Sequence, residues 1–133
     1  VRFVNDSKGT NVGATAAALR GFGEGAQVVL IAGGVGKGQD FRPLRQALQS
    51  TAKALILIGE AADEIAHAVG DLLPVQRAQD MADAVRLASD CAAPGDVVLL
   101  SPACASFDMF SGYPARGDAF AAAAKGLDRG GEA

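Results

Sequence analysis

Val28-Val29-Leu30-Ile31-Ala32 runs straight into Gly33-Gly34-Val35-Gly36-Lys37, and this junction decides the fold. An unbroken run of β-branched and aliphatic residues is the pattern of a strand covered on both faces, the habit of strands inside a parallel sheet. The glycines that follow let the chain turn sharply and leave N–H groups open to a ligand, and Lys37 adds a mobile positive charge. The junction therefore predicts an anion site at the carboxyl end of a central parallel strand. It is not a Walker A loop: Ile31 stands where the leading glycine belongs, and Gly38 where the serine or threonine belongs.

Working outward, the same alternation repeats. Val1–Val4 is the first predicted strand, followed by the polar turn Asn5-Asp6-Ser7-Lys8-Gly9-Thr10-Asn11 and a helix carrying Val12, Ala16 and Leu19. The second strand is Gln27–Ala32. Asp40 is placed to cap a helix with Phe41, Leu44 and Leu48 inward and Pro43 in its first turn. Ala54–Ile58 is the third strand, and Ala62, Ile65, Ala66 and Val69 mark a helix that Gly70 stops. Pro74–Arg77 is short and polar, which suits an edge strand. Asp80 caps a helix carrying Met81, Ala84, Val85 and Ala88. Val97–Leu100 is the fifth strand, ending in Ser101-Pro102-Ala103-Cys104-Ala105-Ser106, and a last helix is predicted from near Arg116 to Leu127.

Alternating strands and helices with short loops predict βαβ units: an α/β fold, a three-layer α/β/α sandwich on a mainly parallel five-stranded sheet. Ligands of such sheets bind beyond the carboxyl ends of the strands. Three loops there are unusually polar: 6–11, 33–37 and 101–106. The 133 residues suit one domain, taken as 1–127, with 128–133 as a flexible tail. Half the residues are apolar and a fifth charged, so the chain is globular, and a net charge of −3 argues against general nucleic-acid binding. There is no signal peptide or membrane-length apolar run, and Cys91 and Cys104 form no disulfide or metal pattern, so a cytoplasmic setting is the simplest expectation. A start at Val1, inside an apparent strand and without Met, points to a domain of a longer polypeptide.

Several side chains carry two readings. Lys8 and Lys37 are anion ligands or solvated loop lysines. Thr10 donates to an anion at a helix start, caps that helix, or does both. Asp6 takes a ribose hydroxyl or forms an Asx turn. Ser106 suits a hydrogen-bond donor better than a nucleophile, because no base stands near it. His67 belongs to a helix surface far from the polar loops, Cys104 is a small buried residue, and Asp63 and Glu64 are a solvated face. Asp108 and Arg116 either pair to position the loop after the fifth strand or are ordinary surface charges. No catalytic residue and no metal ligand is assigned.

The motifs Asp6-Ser7-Lys8 with Thr10-Asn11, Gly33-Gly34 with Gly36-Lys37, and Ser101 through Ser106 occur in this order, each after a strand. Together they resemble the C-terminal domain of the Mur ligase family, and the serine loop with its continuation to Arg116-Gly117 resembles the D-glutamate-adding branch. The likeness covers all but the tail. It implies strand order 1-5-2-3-4 and an ATP-dependent amide-forming ligase of peptidoglycan synthesis. In that reaction, ATP phosphorylates the carboxylate of UDP-N-acetylmuramoyl-L-alanine and D-glutamate attacks the acyl phosphate. By the same resemblance Thr10, Lys37 and Ser106, with backbone around Phe107 and Tyr113, hold D-glutamate, while Asp6 and Lys8 face the nucleotide. ATP and Mg2+ would be gripped mainly by N-terminal and central domains that this chain lacks, leaving it inactive alone. The family also places an antiparallel strand just before this chain's start, so the first strand is expected at an exposed edge. The alternative is a stand-alone module that binds a nucleotide or phosphate, and a purely structural oligomerisation domain is a third reading.

Overall fold

The computed structural model describes residues 1–23, 27–36, 38–106 and 109–131. Five strands, β1 (Arg2–Asn5), β2 (Val28–Gly33), β3 (Ala52–Ile58), β4 (Val75–Arg77) and β5 (Val97–Leu100), form one sheet in the order β1-β5-β2-β3-β4. Every neighbouring pair is parallel, as the buried aliphatic runs require. Five helices connect and complete them: α1 (Val12–Gly21), α2 (Arg42–Thr51), α3 (Ala62–Val69), α4 (Met81–Cys91) and α5 (Tyr113–Gly131). No helix among the described residues is long and apolar enough to cross a membrane.

Strand order dictates which face each helix covers. From β1 to β4 the chain steps always in one direction across the sheet, so right-handed crossovers put α1, α2 and α3 on one face. The return from β4 to β5 reverses direction and sends α4, with α5 after it, to the other face. The core divides accordingly along the two-residue period of a strand. Val28, Leu30 and Ala32 meet Leu19, Leu44, Leu48 and Ile65 on the first face. Val29 and Ile31 meet Val85, Ala88 and Phe120 on the second. All six residues of β2 are buried, while β1 and β4 are the partly exposed edges.

Several element ends differ from expectation. Asp40 does not cap α2: the helix starts one residue later, with Phe41 at the cap position and no side-chain cap. Asp40 instead accepts the Arg42 N–H at 3.0 Å and pairs with the Arg42 guanidinium, which holds its carboxyl below the usual range. Asn11, not Thr10, caps α1; its side chain accepts the Ala14 N–H at 2.8 Å. The expected Asp80 cap of α4 is present, on the N–H of Asp83. β3 begins at Ala52, directly from α2, and a register shift beside Val28 leaves Lys53 out of the pairing. α5 starts at Tyr113, before the expected Arg116, because Pro114 is tolerated in a first turn where its missing N–H has no partner to lose. It runs on to Gly131, past the expected end at Leu127.

Candidate functional site

The three polar loops lie together at the carboxyl edge of the sheet, as β1, β5 and β2 are adjacent there. Main-chain hydrogen bonds join them into one body. Gly33 N–H donates to Pro102 O at 2.9 Å, and Ala103 N–H donates to Gly9 O at 2.9 Å. Val35 and Ala105 form a two-way antiparallel bridge, 2.8 and 3.2 Å long. The closeness depends on glycine: a Cβ on Gly33 would lie 1.8 Å from Ile58 O, and one on Gly34 2.2 Å from Ala105 O. Ala103, fully buried, has φ 64°, the only positive value at a non-glycine among the described residues. Such strain persists only where surrounding contacts impose it, and it clusters at binding and catalytic sites.

Side chains tighten the same body. Ser101 Oγ donates to the Asp6 carboxylate at 2.8 Å and also lies 3.1 Å from Thr15 Oγ1, which itself donates to Ser101 O. One carboxylate oxygen of Asp6 is thereby fixed at the mouth of the loop. Arg116, 1 % exposed, comes from the first turn of α5 and donates to Ser7 Oγ, Ser7 O and Cys104 O at 3.0, 2.6 and 2.9 Å. Ser7 Oγ in turn donates to Tyr113 O at 2.7 Å. Gln39 bridges Val12 N–H and Ala103 O.

Of the residues singled out from sequence, Asp6 is half-buried and Lys8 exposed on the first loop. Thr10 is half-buried, two residues before α1, and its hydroxyl makes no hydrogen bond among the described residues. Ser106 is 2 % exposed, and its Oγ is the one buried side-chain oxygen or nitrogen without a partner among the described residues. The Gly9–Ala103 bond brings the loops of Thr10 and Ser106 together, and the Val35–Ala105 bridge brings the glycine loop beside them. Tyr113 has its carbonyl in this network and is 49 % exposed as a residue. Lys37, Phe107 and Asp108 lie outside the described residues.

Cys104 is buried, as expected, and Asp63 and Glu64 are exposed on α3. His67 is exposed too, on a cleft it shares with Gln39, Asp40 and Arg42. No group of three or more possible metal-ligating side chains occurs among the described residues. The sequence reading missed Ser7, Thr15, Gln39 and the strain at Ala103. Only Ser7 had a signal, since a small polar residue between Asp6 and Lys8 in so tight a turn has little room to face solvent.

Among the described residues the site offers the Thr10 and Ser106 hydroxyls and, as an acceptor, the Asp6 carboxylate on a rigid frame, with nothing there placed as a nucleophile–base pair. The comparisons agree with that character. The profile described as "Mur ligase, glutamate ligase domain" matches residues 1–104. The chain is 52 % identical, over 129 residues and 96 % of its length, to the UDP-N-acetylmuramoylalanine–D-glutamate ligase of Legionella pneumophila strain Lens, covering 29 % of that protein. It is 56 % identical over 135 aligned positions, 98 % of its length, to the enzyme of that name from Bordetella pertussis, covering 26 % of it. The Acinetobacter baylyi ligase is 53 % identical over 132, with 96 % of this chain and 30 % of that protein covered. The chain thus spans under a third of the curated relatives it matches. With the profile covering most of its length and all three motif loops in place, the chain belongs to the glutamate ligase domain family of the Mur ligases.

Proposed function

We propose that this chain is the D-glutamate-binding, C-terminal domain of an ATP-dependent ligase that joins D-glutamate to UDP-N-acetylmuramoyl-L-alanine in the cytoplasm. The observation that carries the reading is the Ser106 hydroxyl, buried without a partner among the described residues in a loop bonded to that of Thr10. A buried hydroxyl left unpaired is costly, and an incoming carboxylate oxygen would remove the cost. Thr10, Ser106 and Lys37, with main chain near Phe107 and Tyr113, are assigned to the two carboxylates of D-glutamate.

The remaining roles follow from charge and place. Asp6, with one carboxylate oxygen held by Ser101, is assigned a ribose hydroxyl of ATP, and Lys8 beside it the nucleotide's negative charge. ATP and Mg2+ are bound mainly by the parts of the ligase that lie outside this chain. The phosphorylated carboxylate of the acceptor is attacked by the D-glutamate amine, which forms the amide bond and releases phosphate. This domain's share is to hold the amine on course, and positioning of that kind supplies a large part of catalysis. Alone it is inactive.

Titration of the chain with D-glutamate and L-glutamate, followed by NMR, tests the assignment. Shifts specific to the D enantiomer, confined to the three loops and reduced by Lys37→Ala, are expected. Equal shifts for both enantiomers, or shifts that Lys37→Ala leaves intact, would sink it. A stand-alone nucleotide sensor would instead respond to ATP and ignore D-glutamate.

A further inference from the structure

Resting on the assignment just made, we infer that Gln39 is a positioning residue that locks the three loops into the geometry that receives D-glutamate. Gln39 is half-buried and stands two residues after Lys37. Its carboxamide spends both ends on main chain, at the start of α1 and in the loop after β5: Nε2 donates to Ala103 O at 2.6 Å, and Oε1 accepts the Val12 N–H at 3.0 Å. The amide's orientation is assigned by these partners, because a flipped group would set donor against donor and acceptor against acceptor.

Both partners need holding. Val12 N–H is the first of α1, one of the donors that a helix leaves without an internal acceptor. The Asn11 side chain serves Ala14 instead, so Gln39 supplies a second cap from a distant segment. Ala103 sits in the left-handed region, where an alanine stays only when gripped. Its N–H is held by Gly9 O and its carbonyl by Gln39. Gly9 precedes Thr10, Ala105 precedes Ser106, and Gln39 follows Lys37 by two residues. One side chain therefore joins the segments bearing all three assigned ligands. Both of its side-chain bonds run to main chain of other segments, so its contribution is to their relative placement.

The test is steady-state kinetics on the full ligase containing this domain, with Gln39→Ala and Gln39→Glu beside the parent. Alanine removes both bonds. Glutamate keeps an acceptor for Val12 but sets a carboxylate against the Ala103 carbonyl, so it retains one tie and breaks the other. With each bond contributing about a fivefold to tenfold factor, KM for D-glutamate should rise about fivefold to tenfold in Gln39→Glu and about 25-fold to 100-fold in Gln39→Ala. In the same experiment, kcat and KM for ATP should stay within about twofold of the parent, a split that marks loss of binding geometry common to ground and transition states. Amide hydrogen exchange gives an independent readout: Ala103 loses protection in both variants, and Val12 loses it only in Gln39→Ala. An unchanged KM for D-glutamate, or equal losses toward D-glutamate and ATP that track the folded fraction, would overturn the inference. A parent ligase that does not depend on D-glutamate would bring down the functional assignment as well, which separates the two failures.

Discussion

The two ends of the sheet are built on opposite plans. At the carboxyl edge, backbone passes so close to backbone that Gly33 and Gly34 have no room for a Cβ, Ala103 is strained, and Ser106 keeps a buried hydroxyl unpartnered among the described residues. At the amino edge the connections are relaxed. Asp96 accepts from Lys53 Nζ and from Ala93 N–H, both at 2.7 Å, its own carbonyl accepts from Arg2 N–H, and the turn at Gly95 has open space around it. Strain and unspent hydrogen bonding gather at the edge assigned to the ligand, and satisfied contacts gather at the other. The buried aliphatic sheet between them holds both ends in place.

A matched pair of glycine substitutions breaks this comparison most sharply. Gly33 and Gly95 both have positive φ, 130° and 91°, so alanine is strained at either. Only at Gly33 does the new methyl meet an obstacle, the Ile58 carbonyl oxygen at 1.8 Å. Gly33→Ala should therefore cost about 4 kcal/mol or more, since β2 and β3 must separate to admit it. Gly95→Ala should cost only the backbone term, about 1–2 kcal/mol. Urea unfolding of the two variants measures the difference, and similar losses would mean that the carboxyl edge is no tighter than the amino edge.

Arg116 gives the next largest effect. It is buried, and its fork binds two carbonyls and a hydroxyl drawn from two loops. Arg116→Met leaves those acceptors without it, which should lower stability by about 3 kcal/mol. Arg116→Lys should recover little, because a lysine ammonium cannot span acceptors that a planar guanidinium reaches in parallel. Denaturant midpoints decide it, and full recovery by lysine would show that charge, not the fork, is what the site needs.

The fold was legible because its signals are local and repeated. Val28–Ala32 and Val97–Leu100 announce buried parallel strands, Gly70 and Asp80 mark helix ends, and the polar run 74–77 marks an edge. The loops of the candidate site were legible as places but not as a mechanism of assembly. Nothing in the sequence around Gln39 says that its amide will reach residue 12 and residue 103. Arg116 likewise reads either as a partner of Asp108 that positions the loop or as a surface charge, and nothing in the sequence points to its bonds to Ser7 and Cys104. Such ties depend on contacts between segments as much as about a hundred residues apart, which no period or propensity encodes. The reading erred at Asp40, which pairs with Arg42 in place of capping α2, and of the readings left open at Thr10 the cap falls to its neighbour Asn11, the usual scale of shift at helix ends.

The smallest effect belongs to the relaxed end and sharpens the contrast by its pH dependence. The Asp96 carboxyl is held below its ordinary value, first by the hydrogen bond from Lys53 and then by the Ala93 N–H, against the opposing effect of its burial. In the unfolded chain that carboxyl titrates near its ordinary value, about 4. Between the two values the unfolded state binds more protons, so stability rises with pH there. The contribution is complete above about pH 4–5 and disappears as the pH falls through the lower, folded value. Asp96→Asn should therefore weaken the domain at neutral pH and flatten its loss of stability on acidification, while Ser106→Ala, which removes no charge, leaves the acid limb unchanged. Urea midpoints between pH 2 and about pH 7 measure both limbs. A parent and an Asp96→Asn variant with parallel acid limbs would show that the ion pair at the amino edge contributes no more to folding than an exposed one.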